Sequence, residues 1–127
     1  AMILIHGVSK SFEKSLVNEQ EVMNNIAVMI MEIYVTESSA LRIEKMESMK
    51  GKDAVALYRD ILDVMVYDGA EKVRKSAMDC IHSFISGSEA AKLVKAMDKL
   101  TTVTGVNVKD ARRRIANKLI EDNSYKF

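Results

Sequence analysis

Few side chains in this sequence are of the types that carry catalysis or bind metal ions. The two histidines, His6 and His82, lie far apart in the chain. Asp79 and His82 are three residues apart, which on a helix puts a carboxylate and an imidazole on one face, the spacing that helical bundles use at di-metal centres. Such a centre needs the pair twice, but Ile3 stands three residues before His6. His82 is therefore predicted to be an ordinary surface or boundary histidine, with no metal bound.

The single cysteine, Cys80, is predicted to be a buried structural thiol. It has no lysine or arginine within two residues to stabilise a thiolate, and a lone cysteine cannot form an intramolecular disulfide. The patterns of serine nucleophile elbows, phosphate-binding glycine loops and paired metal-binding cysteines do not occur. The sequence thus predicts no catalytic residue, no metal site and no cofactor site within this chain.

A basic stretch near the carboxyl end is the one candidate interaction face. It consists of Arg112, Arg113, Arg114 and Lys118, which could meet phosphate, an acidic protein or anionic lipid head groups. A solvated helix face is the favoured interpretation, because three adjacent arginines spread around a helix and cations near a helix start oppose its dipole. The chain as a whole has 19 Lys plus Arg against 18 Asp plus Glu, so no nucleic-acid partner is predicted.

The elements that must position these residues are predicted to be helices. Proline is absent and glycine occurs only five times, although turns and sheet corners ordinarily use both. Glycines and cap residues set the predicted boundaries: Gly51 and Asp53, a capping box from Ser86 to Glu89, and a weaker one from Asn107 to Asp110. The result is one domain over 1–127, an all-α antiparallel bundle of four to five helices, with two long helices near 18–50 and 53–84 and a shorter one over 2–17.

Apolar residues recur at three- and four-residue steps in each predicted helix, which indicates a core-facing stripe. The stripe positions are Ile5, Val8, Phe12 and Leu16; Val22, Ile26, Met29, Ile30, Ile33, Tyr34 and Leu41; Leu57 or Tyr58, Ile61, Met65, Val66, Ala70, Val73, Ala77, Ile81 and Phe84; Leu93, Met97 and Leu100; and Ala111, Ile115, Leu119 and Ile120. The nine methionines are predicted to fill the core, with an adaptable binding groove as the alternative. The longest apolar run is six residues, against about 20 for a membrane span.

Two parts of the sequence resemble the carboxy-terminal helical domain of acyl-CoA dehydrogenases of the very-long-chain type. They are Phe12 to Lys45, with Asn18-Glu19-Gln20-Glu21-Val22, Ile26 to Tyr34 and Ser38 to Arg42, and the close from Ala111 to Tyr125. The resemblance implies a parent enzyme that binds FAD, removes two hydrogens across the α and β carbons of a fatty acyl-CoA and passes electrons to an electron-transferring flavoprotein. The family's catalytic Glu-Gly-Thr-Asn-Glu segment does not occur here, so no catalytic or flavin residue is assigned.

The resemblance also implies what such a domain does. It would pack against the catalytic body of its own chain and support a homodimer or a peripheral membrane or partner contact. An alanine ahead of Met2 is typical of a vector-derived residue, so we expect a carboxy-terminal fragment of a larger chain. A bacterial parent is expected in the cytoplasm, and a eukaryotic one in mitochondria. The alternative is a free-standing adaptor that binds a protein through an apolar or arginine-rich helix face, and a helical bundle that is itself a metal or cofactor enzyme is a third interpretation.

Overall fold

The protein is all-α in a computed structural model, which describes residues 1–124 except for the side chain of Lys14. That part of the chain has five α-helices and no strand, which confirms the predicted helical bundle. The helices are α1 (Met2–Phe12), α2 (Gln20–Lys50), α3 (Ala56–Phe84), α4 (Gly87–Thr101) and α5 (Val108–Asp122). Two short 3-10 turns, Glu13–Asn18 and Asp53–Val55, precede α2 and α3. Among the described helices, none combines the length and the apolar composition of a membrane span.

The predicted carboxyl-terminal boundary of the first helix, residue 17, is wrong, because α1 ends at Phe12. Glu13 has a φ of 42°, a left-handed conformation that a side-chain-bearing residue rarely adopts and that ends a right-handed helix. The hydroxyl of Ser15 donates to the carbonyl of Phe12 at 2.6 Å, which satisfies one of the carbonyls left open at the helix end. The chain then tightens into the 3-10 turn that leads to α2.

Two of the three helix ends predicted from glycines and cap residues show the expected capping geometry. Gly51 has a φ of 84° and its N–H donates to the carbonyl of Glu47 at 2.8 Å, so it ends α2 as predicted. Asn107 caps α5 by accepting from the N–H of Asp110 at 3.2 Å, while its amide donates back to the Asp110 carboxylate at 2.6 Å. The capping box predicted at Ser86 is wrong in detail, because Ser86 precedes α4 but its side chain makes no capping bond.

The chain forms two compact units, each built from two separate stretches of sequence. Unit 1 comprises residues 1–34 and 70–102. Its core is a cluster of buried side chains from α1, α2, α3 and α4: Leu4, Val8, Val22, Ile26, Met29, Ala77, Cys80, Ile81, Ala90 and Met97. Half-buried apolar residues, among them Phe12 and Phe84, pack against this cluster. The apolar stripes of four helices therefore meet here much as their spacing predicts.

Unit 2 comprises residues 35–69 and the chain from 103 onward. Its fully buried apolar side chains are few, with Ile43 and Val55 at 6% and 0% exposure and Ala111 at 1%. Ion pairs between helices supplement this small core, as in the bridge from Arg59 on α3 to Glu47 on α2. Asn123 ends α5 in a left-handed conformation with a φ of 46°, and the predicted loose tail beyond residue 124 lies outside the described residues.

Several predicted core positions are wrong, because their side chains are exposed. Ile30 and Ile33 are 47% and 43% exposed, although they continue the stripe that buries Val22, Ile26 and Met29. Tyr34, Leu41, Leu100 and Ile120 are likewise exposed. The physical reason is that apolar residues occur on more than one face of these helices, while only one face of each helix lies in the core.

Candidate functional site

The predicted basic face lies on α5 in unit 2, and two of its arginines are bonded to aspartates of α3. Both Asp68 carboxylate oxygens accept from one guanidinium nitrogen of Arg112 at 2.8 Å. Arg114 makes a bidentate pair with Asp60, with distances of 2.7 Å from Nε and 2.5 Å from Nη2. The Arg114 pair, in which two nitrogens donate to two oxygens, has the strong bidentate form of the arginine–carboxylate interaction. The later arginine on α5, Arg114, pairs with the earlier aspartate on α3, Asp60, and Arg112 pairs with Asp68. The two helices therefore run antiparallel.

The remaining basic residues of that face are less engaged with other helices. Arg113 lies 3.9 Å from Asp110 of its own helix, and its side chain is 71% exposed. Lys118 bonds to Asp122 at 2.9 Å and to Glu121 at 3.3 Å, both within α5. These two hydrogen bonds raise the pKa of Lys118. The structure thus separates the four residues into two that bridge helices and two whose contacts stay within α5.

The electrostatics of the Arg114 bridge are those of a carboxylate held in its charged form. The side-chain hydrogen bond from Arg114 lowers the pKa of Asp60 below its ordinary value of 3.8, against a smaller opposing effect of burial. The same bond raises the pKa of Arg114 further. The Asp60 side chain is only 17% exposed, whereas that of Arg114 is 57% exposed. This pair therefore fastens the middle of α5 to α3 and leaves the outer surface of the guanidinium in water.

A second surface, which the sequence analysis missed, is an exposed apolar face on the first half of α2. It consists of Met23, Ala27, Ile30, Met31 and Tyr34, and is called here the α2 outer face. Steps of three and four residues place these side chains on one side of the helix. The core contacts of α2 in unit 1 use the different set of Val22, Ile26 and Met29. The available signal was that Val22 to Thr36 contains one charged residue, Glu32, and so has apolar side chains on both sides of the helix.

That one charge on the stretch is already paired within unit 1. Lys72 of α3 donates to the carboxylate of Glu32 at 2.7 Å, so the charge is balanced by a neighbouring helix. The α2 outer face itself is uncharged and includes Tyr34, which is 70% exposed. An uncharged apolar face of this length is the kind of surface that another protein surface covers.

Cys80 and His82 occupy different environments, although they are two residues apart on α3. Cys80 is completely buried in the unit 1 core, and this burial raises the pKa of its thiol. The prediction of a buried structural thiol is confirmed. His82 lines an open surface depression together with residues of α4 and the turn before it, among them Ser86, Ala90, Val94, Lys95 and Asp98. The described residues place no group of three or more metal-ligating side chains together.

A profile of the family "Acyl-CoA dehydrogenase, C-terminal domain" matches residues 1–99. The chain belongs to this family. The match covers α1 to α4 almost completely, so it includes the α2 outer face and the unit 1 core, whereas the basic face of α5 lies beyond it.

Two relatives support the same assignment for the domain. A probable acyl-CoA dehydrogenase of Bacillus subtilis (strain 168) is 26% identical over 117 residues, which is 92% of this chain and 20% of the relative. The crystal structure of an acyl-CoA dehydrogenase complexed with FAD from Bacillus anthracis superposes with a TM-score of 0.94 at 25% identity, over 99% of this chain and 22% of that one. This acyl-CoA dehydrogenase C-terminal domain therefore spans about a fifth of the length of the relatives it matches.

Proposed function

We propose that this domain is the non-catalytic carboxy-terminal module of a flavin-dependent acyl-CoA dehydrogenase of the very-long-chain type. On this proposal the parent enzyme oxidises a fatty acyl-CoA with bound FAD and passes the electrons to an electron-transferring flavoprotein. The domain packs against the catalytic body of its own chain and helps to hold a homodimer. Support comes from the family match and from the likeness to a structure of an enzyme complexed with FAD.

The residues present do not fit a flavin site. Every buried side-chain nitrogen or oxygen in the described residues already has a hydrogen-bond partner, so no buried polar group is left to bind a flavin or its phosphates. The sequence has no glycine-rich phosphate loop. FAD and the reacting acyl chain would accordingly be held by the rest of the parent enzyme, and no chemical step is assigned to this chain.

The observation that carries the packing role is the α2 outer face. A helix with apolar side chains on both sides is normally buried on both sides, but in unit 1 the buried side chains of α2 are Val22, Ile26 and Met29, which lie on one side. A module that docks on a larger body explains why the second side is apolar as well. The alternative of an adaptor that binds through its arginines is less well supported, because Arg112 and Arg114 would first have to leave their aspartates.

The test compares the full-length parent enzyme with a version that stops before this domain. We expect the shortened enzyme to melt at a lower temperature and to lose dimer, as measured by differential scanning fluorimetry and by light scattering after gel filtration. Addition of this chain as a separate polypeptide should restore part of both properties. A shortened enzyme that keeps its full melting temperature and stays dimeric would show that the domain has no packing role.

A further inference from the structure

We infer that the α2 outer face is the docking face of this domain, and that its occupant is an apolar surface with lysine or arginine at its edge on the catalytic part of the same enzyme. This inference rests on the proposed function, and adds which residues make the contact and which surface chemistry they require. It concerns α2 in unit 1 alone.

The first step is that the α2 outer face is excess to the needs of the domain's own core. Unit 1 already buries one side of α2 through Val22, Ile26 and Met29, which are at most 9% exposed. Met23, Ile30, Met31 and Tyr34 lie beside them and remain 47% to 70% exposed. A contiguous apolar face is costly in water, and its natural place is an interface. The flexible thioethers of Met23 and Met31 and the amphipathic ring of Tyr34 are types enriched at such interfaces.

The second step is the charge on the same stretch of chain. Between Ser15 and Tyr34, within unit 1, there are three glutamates, at positions 19, 21 and 32, and no lysine or arginine. Glu32 is paired with Lys72 in unit 1, while Glu21 is exposed at the start of α2. A partner surface that complements this stretch carries positive charge at its edge.

The same charges argue against two other occupants. A lipid surface attracts amphipathic helices through lysines and arginines that flank the apolar side, and this stretch supplies only carboxylates. A second copy packed parallel to the first would bring Glu19 and Glu21 against the same two glutamates, and like charges at an interface are repelled. A basic-edged apolar surface on the remainder of the parent enzyme meets neither objection.

Methionine oxidation can test the assignment without any mutation, because Met23 and Met31 are part of the face. The 127-residue chain and the full-length enzyme are each treated briefly with hydrogen peroxide, with free methionine in the same tube as a measure of dose. Mass spectrometry then follows sulfoxide formation at the two residues. We expect both methionines to react several-fold more slowly in the full-length enzyme. Equal rates in the two samples would overturn the assignment.

The same readout separates the competing occupants. Protection of Met23 and Met31 in the isolated chain that increases with its concentration would mean that a second copy covers the face, and would overturn the proposal. Protection on addition of phosphatidylglycerol vesicles would mean that a membrane covers it, with the same consequence. No change in either experiment, together with protection in the full-length enzyme, supports docking on the catalytic part.

Variants of the full-length enzyme complete the test. Ile30→Glu and Tyr34→Glu should each lower its melting temperature, whereas Leu100→Glu should not, because Leu100 is a matched apolar residue on α4 that is 72% exposed and lies outside the face. All three should leave the circular dichroism and melting of the isolated chain unchanged. If Ile30→Glu and Tyr34→Glu behave like Leu100→Glu in the full-length enzyme, the face is wrongly assigned. Failure of the proposed function is recognised separately, by the absence of any effect when the whole domain is deleted.

Discussion

Whether Gly7→Ala raises or lowers the free energy of unfolding should depend on the aromatic ring of Phe84. Gly7 lies inside α1, where alanine is normally better than glycine by about 1 kcal/mol. A Cβ atom at Gly7, however, would lie 2.8 Å from Cε2 and 2.9 Å from Cζ of Phe84. Phe84 packs against the unit 1 core, so its ring cannot retreat without loss of contacts. Overpacking of this kind costs about 1 to 3 kcal/mol, so Gly7→Ala should be neutral or destabilising by up to about 2 kcal/mol.

The ring's contribution is isolated by a double-mutant cycle. In a Phe84→Ala background the obstacle is gone, and Gly7→Ala should stabilise the chain by about 1 kcal/mol through helix propensity alone. The difference between the two backgrounds gives a coupling energy of about 1 to 3 kcal/mol between Gly7 and Phe84. Urea unfolding followed by far-ultraviolet circular dichroism measures all four proteins.

Gly105→Ala is the control for this cycle, because a Cβ atom at Gly105 would have no neighbour within 4 Å. Its effect should be the same with and without the Phe84 ring. The packing argument is refuted if Gly7→Ala stabilises the protein equally in both backgrounds, because that result would mean that the ring moves aside without cost.

Three further predictions concern a charge, a helix cap and the core. Arg114 lowers the pKa of Asp60 in the folded state, so the bridge stabilises the fold at pH values above the pKa that Asp60 has in the unfolded chain. This stabilisation disappears as the pH falls through the lower, folded-state pKa. Arg114→Gln should therefore reduce the drop in the free energy of unfolding that occurs below about pH 4, as measured by urea titration. Asn107→Ala should reduce the free energy of unfolding by about 1 kcal/mol, measured by urea titration, because it removes the side-chain acceptor of the α5 cap. Met29→Ala should reduce the same quantity by about 2 to 5 kcal/mol, because Met29 is fully buried.

Each of these predictions has a control within the chain. Arg113→Gln should leave the acid dependence unchanged, and an equal effect of the two arginine variants would rule out the Arg114 bridge as its source. Asn107→Ser keeps a capping oxygen and should recover most of the stability, whereas a serine variant as weak as the alanine one would contradict the role of the cap. Met23→Ala should change stability by no more than about 0.5 kcal/mol, and a cost similar to that of Met29→Ala would mean that the exposure of Met23 is misjudged.

The features of the fold that could be predicted from the sequence are those that depend on residues close together in the chain. Gly51 ends α2 because the left-handed conformation it adopts suits glycine, and the Asn107 cap depends on a partner only three residues away. The end of α1 escaped prediction because Glu13 gives no compositional sign of its positive φ. Local patterns thus locate helices well and their irregular ends less well.

The candidate surfaces depended on information that is distant in the sequence. Arg112 and Arg114 were recognised as a charged cluster, but their partners Asp68 and Asp60 lie more than forty residues away, and nothing in the pattern selects those aspartates among the others. The exposure of Ile30 was missed for a related reason. Periodicity shows that a helix side is apolar, but only the packing shows whether that side meets the core of its own domain or is left for another surface.

The complete burial of Cys80 makes it a natural probe of how often unit 1 opens. Because this is the single cysteine of the chain, and burial both shields its sulfur and raises its pKa, a thiol reagent can reach it only when the core around α3 comes apart. The rate of labelling under native conditions therefore reports the population of opened molecules, with no engineered label. If labelling of the Cys80 peptide is followed by mass spectrometry in the isolated chain and in the full-length enzyme, the ratio of the two rates measures how much a docked neighbour suppresses opening of unit 1.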